Sequence, residues 1–147
     1  MIFFLVHAYS DIHVAIENRR AREVRYVVNK RQGEATIASR SMVIGGIIIL
    51  IFLVLHIKMF KFGDKAGADG LWGLVNRTFH NPLIVAWYVI AMLALGLHLS
   101  HGFSSAFQTL GAQKPMWRPR LKMMGLGLGW VVALGFAALP IWSYVYR

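Results

Sequence analysis

The sequence predicts an all-α integral membrane protein, a helical bundle with about four transmembrane segments. Three observations carry the fold class. The mean hydropathy is +0.54, and 57% of the 147 residues are hydrophobic. The apolar residues lie in long blocks with the charges gathered in the gaps, whereas a soluble domain of this length alternates apolar and polar far more. There is no cysteine, so a disulfide framework, a thiolate metal site, a Cys nucleophile and thioether-attached haem are all excluded. One membrane domain, 1–147, accounts for the length.

The first block, 1–16 ("MIFFLVHAYSDIHVAI"), contains Asp11, His7 and His13. It is shorter than the roughly 20 residues of a full span. A signal peptide is the rival reading. The block lacks a basic n-region, and His7 breaks its apolar core, so the inner part of a membrane helix describes it better. The second block, 41–60, is apolar until His56 and Lys58. The third, 82–110, carries His98 and His101 three residues apart. The fourth, 123–146, has no charge and no histidine. Glycine is frequent in these blocks, as is common where membrane helices approach closely.

The linkers set the orientation. The stretch 17–40 carries Arg19, Arg20, Arg22, Arg25, Lys30, Arg31 and Arg40, and 111–122 carries Lys114, Arg118, Arg120 and Lys122. Between them, 61–81 has only Lys61, Lys65 and Arg77. The positive-inside rule places the two richer linkers in the cytoplasm and the third outside. The net charge of +10 then has a membrane explanation, and no nucleic acid partner is expected.

Histidine is expensive in hydrocarbon, and an intramembrane ionisable group usually marks a function. Six are present: His7, His13, His56, His80, His98 and His101. His80 reads as solvated in the outer loop, and His13 as interfacial. At 1.5 Å per residue, His7 and His98 each lie roughly 14 Å from the inner ends of their blocks, and His56 roughly 22 Å from the inner side. Two level imidazoles on different helices suit the two axial positions of one haem iron. The bland alternative is a hydrogen bond to a neighbouring helix. Zinc or di-iron is less attractive, because no intramembrane glutamate accompanies the histidines. Adjacent His98 and His101 divide most simply into one iron ligand and one residue bonded to a propionate or polar neighbour. Gly96 and Gly102 flank the pair and leave room for a flat macrocycle, and Gly45 lies about three turns before His56, on the same side of its helix.

Three segments in order, "VHAYSDIHVAIENRRA", "SRSMVIGGIIILIFLVLHIKMFKF" and "NPLIVAWYVIAMLALGLHLSHGFSSAFQTLG", resemble the dihaem cytochrome b membrane anchor of succinate:quinone oxidoreductases, the single-anchor type shared with some fumarate reductases. The resemblance covers most of the chain. It implies haem b, one or two per chain, with His7 and His98 as the proximal axial pair, His56 as a distal ligand and His101 beside the iron ligand. Arg40 and Ser41, at the head of the second block, complete the cofactor-binding set. It further implies a flavoprotein subunit with FAD, an iron–sulfur subunit, lipid and a membrane quinone as partners, in a bacterial inner membrane. The family's first helix, which carries the other distal ligand, has no counterpart in these residues. A preceding segment, a helix from elsewhere or an altered distal haem would each satisfy the pattern. The cytochrome b of another respiratory complex is the nearer rival, and the order and spacing of the three segments speak against it. A haem-free membrane scaffold is the rival from a different class.

Overall fold

Asn81 and Gly111 set the ends of a 28-residue helix at the centre of the fold. The Asn81 side chain accepts a hydrogen bond from the Leu83 N–H at 2.9 Å, and Pro82 occupies the first turn, where its missing N–H costs nothing. At the other end Gly111 takes φ +68°. The Ala112 N–H then reaches back to the Phe107 carbonyl, and the Gly111 N–H to that of Gln108. This is the Schellman closure that a left-handed glycine permits.

The computed structural model describes residues 2–21, 41–66, 69–112 and 114–146. Its helices are α1 (Ile2–Arg20), α2 (Met42–His56), α3 (Gly70–Phe79), α4 (Pro82–Thr109) and α5 (Arg118–Val145). A π turn, Ile57–Lys61, prolongs α2, and a 3₁₀ turn, Pro115–Trp117, leads into α5. Among the described residues there are no strands. Three helical stretches, Met42–Lys61, Pro82–Thr109 and Pro115–Val145, are long and apolar enough to cross a membrane. That is the build of a membrane protein. α1, with Asp11 and two histidines, is not among the three.

Two boundaries differ from the sequence expectation for physical reasons. α5 begins at Arg118, inside the expected basic linker, because Pro119 is well placed in a first helical turn. α1 continues past residue 16 to Arg20, where Arg19 and Arg20 meet the negative end of the helix dipole favourably. The loop 61–81 also contains an unexpected element, α3, whose Asn76 accepts a hydrogen bond from buried Ser143 of α5 at 3.1 Å.

α4 and α5 form the most extensive interface. The buried face of α5 repeats small residues every fourth position: Gly125, Gly129, Ala133 and Ala137. Gly96 of α4 meets this row. A Cβ built on Gly96 would lie 2.7 Å from the Ala133 Cβ and 2.9 Å from the Gly129 carbonyl oxygen. Close backbone approach is how helices bind one another where lipid removes the hydrophobic drive. Gly96 therefore serves the α4–α5 contact, and the room expected from it for a macrocycle is not on the histidine side. α2 packs on another part of α4, and α1 rests on α2. The many exposed apolar side chains, such as Phe3, Leu83, Val131 and Leu139, suit a lipid surround.

Candidate functional site

His7 sits one turn before Asp11 on α1, and His98 sits a little past the middle of α4. The fold brings these two imidazoles together. Their ring centres are 6.2 Å apart, with the planes inclined at 75°. The His98 ring rests on the Gly45–Gly46 pair of α2: its Nδ1 is 3.9 Å from where a Gly45 Cβ would stand, and its Cε1 is 3.5 Å from the Gly46 equivalent. A Cβ at either position would meet the ring in ordinary van der Waals contact. Nδ1 of His98 is enclosed by protein and makes no hydrogen bond. An enclosed nitrogen without a partner is costly in an apolar bundle.

Beside the two rings lies a cavity of about 360 Å³ between α1 and α2. Phe4, Met42 and Ile47 are among its apolar walls, and its ionisable groups are His7, Asp11 and His98. Its size falls within the range of about 300–1,000 Å³ for small-molecule and cofactor sites. A few polar groups converging in an apolar pocket are the usual chemistry of such a site. His7 Nε2 lies 3.3 Å from Asp11 Oδ2, with both side chains half-exposed.

The remaining candidates have other surroundings. His101 turns to its own helix, its Nε2 3.0 Å from the Ser105 hydroxyl. His56 is in the other part of the bundle, at the end of α2, with Nδ1 3.2 Å from the Tyr88 hydroxyl of α4. Phe52, Phe60 and Tyr88 all stack or tilt against its ring. Among the described ring contacts no second histidine faces His56. Ser41 is the N-cap of α2 and its carbonyl accepts the Gly45 N–H; the next residue, Met42, lines the cavity. Arg40 lies outside the described residues. His13 pairs along its own helix with Glu17 at 3.4 Å, and His80 Nδ1 contacts the Asn76 carbonyl.

Asp11 and Tyr88 are the site residues that the sequence did not assign. Asp11 carried a signal, since it is four residues beyond His7 and such pairs meet on one helix face. Tyr88 carried none, because its contact with His56 depends on how α2 and α4 pack. Among the described residues no group of three or more His, Cys, Asp or Glu gathers as a metal site. No protein family, curated protein or solved structure matches the chain.

Proposed function

We propose that this chain is the cytochrome b membrane anchor of a succinate:quinone oxidoreductase, holding haem b between His7 of α1 and His98 of α4. The observation that carries the reading is the meeting of these two imidazoles, which come from segments 91 residues apart (98 − 7). Two imidazoles from separate helices at that approach would hold one haem iron between them. The 6.2 Å separation of the rings and the mostly apolar cavity beside both support the reading. Bound there, haem b would supply one-electron transfer between iron–sulfur clusters and a membrane quinone.

The residues of this chain contribute binding and surroundings. His7 and His98 would hold the haem. Gly45 and Gly46 seat the His98 ring, and the cavity walls that would surround the group are mostly apolar. His101, bonded to Ser105, stands beside the donor without being one. His56 is the distal ligand the resemblance implies, and its present partner is the Tyr88 hydroxyl, so the His7–His98 haem is the one this chain's described residues support. Four spans, with α1 as the shortest, complete the bundle in a bacterial inner membrane. The basic linkers face the cytoplasm and dock the iron–sulfur subunit and the FAD-bearing flavoprotein.

The haem-free scaffold is favoured by one observation: His56–Tyr88 and His101–Ser105 are plain hydrogen bonds. Purification from native membranes separates the readings. A cytochrome anchor copurifies with a flavoprotein and an iron–sulfur protein, and succinate reduces its b-type absorption bands. A preparation without those bands refutes the proposal.

A further inference from the structure

We infer that α3 is an interfacial anchor. It holds Trp72, together with Trp142 and Tyr146 of α5, in the phospholipid headgroup layer at the end of the bundle opposite the basic linkers. This rests on the three long apolar helices as membrane spans and is independent of haem. Lys122 is the last cation before the apolar run of α5, and Trp142 lies 20 residues beyond it (142 − 122), roughly 30 Å of helix. The stretch Met42–Lys61 also has 20 residues, again roughly 30 Å. The hydrocarbon core of a bilayer is about 30 Å thick, so Trp142 and Lys61 mark the same boundary of that core on two separate helices. α3 sits at this level, because it touches both α5 and the π turn that ends at Lys61. The hydrogen bond between Asn76 and Ser143, 3.1 Å long, ties it to α5 next to Trp142.

The plain reading is a short helix in a solvated loop. The side chains argue against it. The ring centres of Trp72 and Trp142 are 6.0 Å apart, and those of Trp142 and Tyr146 are 5.8 Å apart. All three residues and Leu71 are more than half exposed, so in water they would form a contiguous apolar patch, which is costly. Tryptophan and tyrosine join an apolar body to a polar tip, and they gather where hydrocarbon meets headgroup. Leu139, one turn before Trp142, is exposed as well and continues the patch into the span. The cluster is thus the rim of a lipid-facing surface. Lys58 and Lys61 are exposed at the same end of α2, where their stems lie along apolar surface and their ammonium groups reach lipid phosphates. Tilt and depth of a span are set by anchors of this kind, so α3 fixes how the bundle sits in the bilayer.

The test is nitroxide depth measurement on the full chain in phosphatidylethanolamine–phosphatidylglycerol nanodiscs, made simple by the absence of native cysteine. Spin labels at Leu71→Cys and Tyr146→Cys are compared with Val131→Cys, exposed in mid-span, and Lys114→Cys, exposed in a basic linker. Oxygen concentrates in lipid and a nickel chelate in water, so the ratio of their collision rates reports depth. The oxygen-to-nickel ratio at 71 and 146 falls severalfold below that at 131 and severalfold above that at 114. A ratio at 71 equal to that at 114 puts α3 in water and overturns the inference, and a ratio equal to that at 131 puts it in the core and overturns it too. Collision rates at 71 that are low for both reagents mean that protein, such as a second copy, covers the patch, and this also overturns it. Asn76→Ala, which removes the tie to Ser143, raises nickel collisions at 71 severalfold and leaves those at 131 unchanged; no change at 71 overturns the holding role of α3. A chain without haem that still gives the intermediate ratio refutes the proposed function and leaves this inference standing.

Discussion

Replacing Gly96 with alanine tests how closely α4 and α5 approach. The new Cβ would stand 2.7 Å from the Ala133 Cβ and 2.9 Å from the Gly129 carbonyl oxygen, whereas carbon atoms prefer about 3.5–4.0 Å. Neither neighbour has a rotamer to move into, so the helices must part. Overpacking of this kind costs about 1–3 kcal/mol. Alanine offsets about 0.5–1 kcal/mol of that through its better helix propensity. The net loss is about 0–2.5 kcal/mol, up to a roughly 70-fold fall in the folding equilibrium. Gly127 supplies the control, because a Cβ there meets nothing within 4 Å, so Gly127→Ala keeps the propensity gain. Equilibrium unfolding in mixed micelles with rising denaturing detergent, followed by circular dichroism, measures both. The close-approach account is refuted if Gly96→Ala is as stable as Gly127→Ala.

The absence of native cysteine gives a clean background for topology. Arg22→Cys and Arg118→Cys stay protected from an impermeant thiol reagent in intact cells and Lys65→Cys is labelled; the reverse pattern overturns the orientation. His56→Ala breaks the contact with Tyr88 and leaves the low-spin signal of the His7–His98 site in place, as an optical spectrum of the variant shows. Complete loss of haem in that variant contradicts the separation of the two regions.

The sequence made the three long apolar blocks and their order legible because lipid imposes one rule on them, long runs of few charges with satisfied backbones; the first block, with Asp11 and two histidines, does not meet it. The level of His7 and His98 followed from helical rise alone, and the fold places their rings side by side. α3 was hidden because its ten residues, Gly70–Phe79, are too few for a span and begin at a glycine. The destination of Gly96 was hidden as well. Its position in α4 shows that the backbone can be approached there, but only the packing of α5 decides which partner approaches. Tyr88 was illegible for the same reason: a tyrosine in an apolar block reads as core until the helix beside it is known.

The central claim is that His7 and His98 hold one haem together. The most direct measurement is the reduced-minus-oxidised spectrum of His7→Ala, His98→Ala and His101→Ala at matched protein level. The account predicts the same loss of low-spin haem b in the first two, since each removes one of the two imidazoles that would hold it. His101→Ala keeps the haem, because its ring is bonded to Ser105. Haem retained in His98→Ala and lost in His101→Ala would contradict the assignment of the donor on α4, and haem retained in His7→Ala would contradict the pairing itself.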